Sequence, residues 1–307
     1  MGQVYGSDIS NFDAISCERL YVNGGLFPEM YRRTYYVEAN AGLDTNDGSS
    51  WEKAFKTLTV AMAASHANIA LDSLGWAARN RILYKGDNAE ASAETLTTLA
   101  QKTDIVGVGS YDHNPGPKLV GNHLIVGSYM GCRFINMGFM SLAAGGAIFT
   151  APTTVSGLAF INCFFDGRTA TAATKAIVTA GCEQFSIIGC KFIGKFSTAT
   201  IDIGTGSGRL MVIKDNEIES GAIGIAVNSG YTCADAMGLI INNVINAVTL
   251  TIDENSDTVS IGGNRGGTEA DGTVAASLDY NDNLAYDNVF YHSAGVSQYP
   301  VLVTIPT

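Results

Sequence analysis

The chain is poor in charge, poor in proline and short of long apolar runs. Only 15% of its 307 residues are charged and six are proline, while 46% are hydrophobic. A disordered chain would be charge-rich and apolar-poor, so disorder is excluded. Collagen is excluded too, since it needs abundant proline and a strict glycine period. No run of 18 apolar residues occurs, so no segment reads as a membrane-crossing helix. Cations are few: 18 Lys and Arg against 29 Asp and Glu give a net charge of −11. Such a chain forms no broad basic face, which argues against nucleic acid as a partner, and its charge disfavours anionic membranes. The first twenty residues have neither a basic start nor an apolar stretch of secretory length, so no signal peptide is expected. Without an export signal, the cysteines at 17, 132, 163, 182, 190 and 233 are expected to be thiols. Metal and nucleotide motifs are missing as well. The four histidines and the cysteines lack metal spacing. GCKFIGKF (189–196) ends on Phe196 where a P-loop needs a hydroxyl.

What the chain has is glycine, 35 residues of it, and a repeat. Six segments align without gaps: YMGCRF (129–134), FINCFF (160–165), IIGCKF (187–192), IKDNEI (213–218), IINNVI (240–245) and IGGNRG (261–266). The third position is Gly, Asn or Asp throughout, the residues that tolerate positive φ. The fourth reads Cys132, Cys163, Cys190, Asn216, Asn243, Asn264. The sixth is Phe or Ile except at Gly266. This pattern predicts a strand end, a left-handed corner, an inward small side chain, and then the period-2 alternation of a new strand. A recurrence of roughly 26 residues lies in the range of solenoids, with one coil per repeat. AIFT (147–150), AIVT (176–179), TIDI (200–203), GIAV (224–227) and TLTI (249–252) supply another strand per coil, and VSGLAF (155–160) and its equivalents carry the corner. The expected fold is all-β: a right-handed, single-stranded parallel β-helix. In 51–70, Trp51, Phe55, Leu58 and Met62 fall at helical spacing, predicting an N-terminal α-helix that caps the open coil. GTGSG (204–208) reads as a turn.

Four regions follow. Residues 1–34 form an arm for docking and assembly, 35–80 an opening strand and the capping helix, 81–266 the β-helix, and 267–307 a β-rich terminal segment. The arm includes ISCERLYVNGGLF (15–27), which could add a strand to a neighbouring chain.

With YYVEANAGLDTNDGSSWEKAFKTLTVAM (35–62), TDIVGVGS (103–110) and the Cys/Asn corners, the chain resembles the pectate-lyase-like β-helix superfamily over about residues 35–265. That resemblance implies the fold more than an activity, because the superfamily holds polysaccharide lyases and hydrolases, adhesins and phage tailspikes. Its enzymes use acidic clusters, often with calcium, or paired carboxylates on the outer face of the coil. Here no Asp-Asp dipeptide occurs. Asp202 lies between Ile201 and Ile203, with Val178 and Gly224 or Ala226 as its expected neighbours. The loop at 166–175 brings Asp166, Arg168 and Lys175 together in sequence, and a lyase could use its Arg or Lys as a base. A solvated loop is the plainer reading. Lys191 and Glu217 are expected to face each other as a cross-strand ion pair. Asp44, Asn46 and Asp47 sit in DTNDG (44–48) as in calcium loops, but no EF-hand glutamate follows, and a turn before the helix is the plainer reading.

The reading that fits best is a bacteriophage virion structural protein of the tailspike or head-decoration type, made in the host cytoplasm. Its expected partners are other virion proteins, met through residues 1–34, and a host surface glycan. The resemblance implies a homo-oligomer, commonly a trimer. A polysaccharide lyase or glycoside hydrolase using Asp166, Arg168 and Asp202 remains the alternative, so catalysis stays open.

Overall fold

A computed structural model describes residues 21–22, 25–26, 33–71, 79–86, 94–109, 117–141, 145–168, 173–194, 196–233, 238–256, 259–268, 276–278 and 285–292. Three long sheets wind together as a parallel β-helix. Sheet I has ten strands: 34–38, 80–85, 103–107, 133–135, 159–161, 186–188, 212–214, 238–241, 259–262 and 285–286. Sheet II has eight: 118–120, 138–140, 164–167, 191–194, 217–220, 244–247, 265–268 and 289–292. Sheet III has seven: 123–124, 147–151, 175–179, 199–203, 223–227, 250–254 and 276–278. From the strand 103–107 onward the chain runs through the three sheets in turn, and each strand pairs in parallel with its counterpart one coil away.

The corner from sheet I to sheet II is the one read from the sequence. Asn162, Gly189, Asp215, Asn242 and Gly263 all have φ between 50° and 64°. The inward residue after each is buried: Cys163, Cys190, Asn216, Asn243 and Asn264. These side chains form a ladder. Asn243 Nδ2 donates to the Ile213 carbonyl at 3.0 Å and to Asn264 Oδ1 at 2.9 Å, while its own Oδ1 accepts from Asn216 N and Nδ2 at 3.0 and 2.9 Å. The thiols do part of the same work. Cys190 Sγ contacts the Phe160 carbonyl at 3.4 Å and accepts from Cys163 N at 3.4 Å. The buried amides of Asn216, Asn243 and Asn264 thereby reach a carbonyl of the preceding coil and a group of the following one.

Two features of the register differ from expectation. Cys132 is buried and free, as expected of a core thiol, but it is not a ladder residue. Phe160 pairs with Phe134 and Phe165 with Phe139, so the ladder begins at Asn136–Met137. Cys132 lies at a different corner, the one that leads into sheet I. There Lys102, Gly131, Gly157, Gln184 and Leu210 also have positive φ. Two left-handed corners per coil, each followed closely by an aromatic or aliphatic inward residue, give overlapping sequence patterns. The sheet III strand near 250 is also shifted by two residues from TLTI, since Val227 pairs with Glu254. The ladder continues past residue 266. Asn288 follows Asp287 (φ 52°), its Oδ1 accepts from Asn264 N at 3.1 Å, and its Nδ2 donates to the Ile261 carbonyl at 2.8 Å. GTGSG is partly strand rather than turn, because 206–208 pairs in parallel with 231–233.

Inside the coil like side chains stack on like. Phe139, Phe165 and Phe192 lie one above another with ring centroids 5.0 and 4.8 Å apart and planes within 13°. Parallel in-register strands impose this, because equivalent residues on successive coils sit about 4.8 Å apart.

The helix is Leu58–Ala70, shorter than the spacing predicts. Trp51 and Phe55 precede it: Phe55 N donates to the Tyr36 carbonyl and Glu38 N to the Phe55 carbonyl, so Phe55 is bridged to the first strand. Thr57 caps the helix, its Oγ1 accepting from Val60 N at 3.4 Å. The Glu94 carboxylate adds two more acceptors, for Leu58 N at 3.0 Å and for Thr59 N. Leu58, Ala61, Met62 and Ile69 turn inward and close the N-terminal end of the core. Within the arm, 21–22 and 25–26 form a two-stranded antiparallel pair, and Thr34 already belongs to the first sheet I strand.

Candidate functional site

The outward positions of sheets II and III carry the residues the sequence singled out. One outward column of sheet II lies three residues past each ladder position: Met140, Asp166, Ile193, Glu219, Asn246. Asp166 is enclosed by Arg168, which donates to Oδ1 from its backbone N (3.0 Å) and Nε (3.1 Å), and to Oδ2 from Nη2 (2.9 Å). Partial burial works against ionising this carboxyl, but the Arg168 bonds outweigh it and hold it below the usual carboxylate range. Asp166 raises the Arg168 guanidinium in turn, with Glu219 adding to the effect.

Lys175 does not join this pair. Its ammonium is bonded to Asp202 Oδ2 on the next strand of sheet III. Asn228 Nδ2 donates to the other oxygen of Asp202 at 3.0 Å and to the Ile203 carbonyl at 2.8 Å. The cluster suggested by sequence proximity is therefore two ion pairs, Asp166–Arg168 on sheet II and Asp202–Lys175 on sheet III. Residues 169–172 lie outside the described residues. The neighbours of Asp202 in its column are Val178 and Ala226, as expected, and Asp253 lies one strand beyond Ala226. Lys191 and Glu217 face each other with nitrogen and oxygen 3.0 Å apart.

A groove of about 360 Å³ opens at the edge between sheets II and III, lined by Gly194, Ser197, Glu219, Ser220, Gly221 and Asn246, with Val248 at one side. Small residues on neighbouring coils leave the space. Ser197, Glu219 and Asn246 are exposed there, offering a hydroxyl, a carboxylate and an amide. Ser220 is spent locally, since its hydroxyl donates to the Ile223 carbonyl at 2.7 Å. Sequence reasoning missed Glu219, although the repeat carried the signal: it stands in the same place after Asn216 as Asp166 does after Cys163.

The DTNDG side chains each go to a different part of the turn. Asp44 Oδ1 accepts from Lys56 N at 3.0 Å and Thr57 N at 2.8 Å, anchoring the approach to the helix. Asn46 Nδ2 donates to the Ala54 carbonyl at 2.9 Å. Asp47 accepts from Ser49 N at 2.9 Å, and these Ser49 bonds lower its pKa. Among the described residues no three His, Cys, Asp or Glu side chains gather as metal ligands.

Asp104 and His123 are buried titratable groups outside the candidates read from the sequence. Asp104 is fully buried on sheet I between Arg79 and Arg133. Arg133 donates to its two oxygens at 2.7 and 2.6 Å and Arg79 Nε to Oδ1 at 2.7 Å. Burial opposes ionisation, yet the bonds from Arg133 and Arg79 keep the carboxyl below its ordinary range. Arg133, the fifth residue of YMGCRF, opens a sheet I strand and does not follow the ladder corner as the alignment of that segment predicts. His123 stands inside the coil between Phe139 and Phe149, and burial pushes its imidazole down to about 3. Its Nδ1 accepts from Leu96 N at 3.1 Å.

No family model matches the chain, and no curated protein matches it. Among solved structures it is similar to a GH136 lacto-N-biosidase from Eubacterium ramulus, at 13% identity and a TM-score of 0.42 over 86% of this chain. The chain spans 64% of the length of that protein.

Proposed function

We propose that this chain is a structural β-helix of a bacteriophage particle, and that the edge between sheets II and III holds a surface glycan without cleaving it. The observation that carries the non-catalytic reading is the Asp166–Arg168 pair. Glycoside cleavage by two carboxyls needs one of them protonated near neutral pH, which requires a raised pKa. Arg168 drives Asp166 the other way. The groove beside it suits a polyhydroxylated ligand, because Ser197, Asn246 and Glu219 supply both donors and acceptors. The five described cysteines are free, which suits assembly in a reducing cytoplasm. The test is to incubate the full chain with neutral and acidic polysaccharides, with and without calcium, measuring binding and reducing ends separately. Binding without release is expected, together with labelling of the chain on phage particles.

A second reading has one observation in its favour. Asp166 and Glu219 share an outward column two strands apart, so their backbones are separated by about 9.6 Å. Inverting hydrolases place their carboxyls roughly 6.5–9.5 Å apart. Release of reducing ends that falls ~100-fold in Glu219→Gln, the scale of a lost acid or base, would replace the first reading with this one.

A further inference from the structure

The first two sheet I strands end on a small pocket ahead of the capping helix. It holds about 240 Å³ and is lined by Glu38, Gly42, Asn46, Trp51, Glu52 and Lys85, together with two alanines. Glu38 and Lys85 are the last residues of their strands and lie in register, with the Lys85 ammonium paired to the Glu38 carboxylate. The same ammonium stands over the Trp51 ring, 5.2 Å from its centroid. Tyr36 meets that ring edge to face, with centroids 5.0 Å apart and planes at 70°. An aromatic ring, a carboxylate and an ammonium are thus fixed against one another before any ligand arrives, which lowers the ordering cost of binding. The loop beneath is tied down as well. Gly42 N donates to the Glu38 carbonyl at 2.7 Å, and Leu43 N and Asn46 Nδ2 both donate to the Ala54 carbonyl, at 3.1 and 2.9 Å. The groove at Glu219 shares none of these residues, and its coil lies five strand spacings farther along the axis, about 24 Å.

We infer that this pocket binds one neutral sugar ring, packed on Trp51 and held by Glu38, Glu52 and Lys85. The lining selects the ligand. Two carboxylates against one ammonium repel an anion, and hydrogen bonding from Ser50 lowers the pKa of Glu52 and keeps it ionised. A bare metal ion finds too few ligands, since no three His, Cys, Asp or Glu side chains gather among the described residues. A purely apolar ligand would meet one ring and strand the polar wall around it. A pyranose uses every group. Its C–H face lies against the electron-rich indole, its hydroxyls donate to Glu38, Glu52 and Asn46 Oδ1, and Lys85 donates to its oxygens. The Glu38–Lys85 pair does not exhaust either partner, because an ammonium has three N–H groups and a carboxylate about four acceptor sites. Pockets for drug-sized ligands begin near ~300 Å³, so this one has room for a single ring and not for a chain.

The test uses the full chain labelled with 5-fluorotryptophan. Two tryptophans give two fluorine resonances, and Trp51→Phe identifies the one to follow by its loss. The methyl glycosides of glucose, galactose, mannose and N-acetylglucosamine are the probes. At least one should shift the Trp51 resonance with half-saturation at roughly 1–10 mM, the range open to a ligand of so few atoms. Glu52→Gln, with an unchanged circular dichroism spectrum, should raise that concentration ~5-fold, the scale of one lost hydrogen bond to a charged group at the surface. Methyl glucuronide should bind ~10-fold more weakly than the neutral glycoside, because its carboxylate meets two others. A Trp51 resonance unmoved by all four glycosides at about 100 mM, well past that range, overturns the proposal. So does an equal shift from glycerol, equal affinity for methyl glucuronide, or a shift that Glu52→Gln leaves intact. A glycan held in the groove at Glu219 lies too far from Trp51 to move this resonance, so the result is independent of the reading proposed above.

Discussion

His123 gives the stability of the fold a pH dependence of definite sign in the mildly acidic range. In the unfolded chain an imidazole titrates near 6.5, whereas inside the coil burial holds this one near 3. Between those values the unfolded state binds the extra proton. The stability this residue contributes is therefore complete above pH 6.5 and is lost as pH falls toward 3, at about 1.4 kcal/mol per pH unit. Carboxylates such as Asp104 and Asp166 are held below their usual range and titrate lower, and comparison with a His123 variant separates this imidazole from the chain's three other histidines between pH 6.5 and 5. Urea unfolding should show the wild type losing about 2 kcal/mol across that interval. His123→Asn keeps an acceptor for Leu96 N and cannot take up a proton; its stability should be nearly flat there. Equal slopes for the two proteins would contradict the assignment.

The corner between sheets I and II is the element that repeats most faithfully, and its two chemistries can be compared within one protein. Asparagine at the ladder position makes bonds in both directions along the axis, while cysteine makes weaker contacts to the same carbonyl and amide positions. Removing the amide in Asn243→Ala strands Asn216 N in the core, takes one of the two acceptors from Asn216 Nδ2 and removes the side-chain donor to the Ile213 carbonyl. At 1–3 kcal/mol for each buried unsatisfied group, a loss of about 4 kcal/mol is expected. Asn243→Cys should lose about half as much, because a thiol restores part of the pattern seen at Cys163 and Cys190. Denaturant titration of the two variants checks the order; a cysteine variant as unstable as the alanine variant would show that the thiols act only as fillers. Burial raises the thiol of Cys132 to about 12 and that of Cys190 well above its ordinary value, so both should resist alkylation in the folded protein.

For the whole molecule, stability is nearly one-dimensional: each coil rests on its neighbours, and the ends need covers. The helix Leu58–Ala70 supplies one cover, held by Thr57 and Glu94. The strands at 21–22 and 25–26 pair only with each other among the described residues. Deleting residues 1–32 should therefore leave the coil folded, with a thermal midpoint within a few degrees of the full chain, the shift expected when no rung is lost. Loss of the cooperative transition in that truncation would show that the arm belongs to the folding unit.

The β-helix was legible because its determinants are local. A residue tolerant of positive φ, a small inward side chain and a Phe or Ile two places on recur in the sequence just as Asn162, Cys163 and Phe165 do in space. The inner stacks follow from that period alone. Register was less legible, since the chain turns left-handed twice per coil, and Gly131–Cys132 imitates the corner that Asn136–Met137 occupies. Outward positions were the least legible, because the repeat does not constrain them. Whether Lys175 meets Asp166 or Asp202 depends on which strand passes 4.8 Å away, not on the nine residues that separate Lys175 from Asp166 in the chain. The sequence by itself determined the coil, its ladder and its buried thiols through short-range backbone preference and burial. Only the tertiary structure decided the Lys175–Asp202 ion pair and the groove at Glu219, since each is made by residues on neighbouring coils.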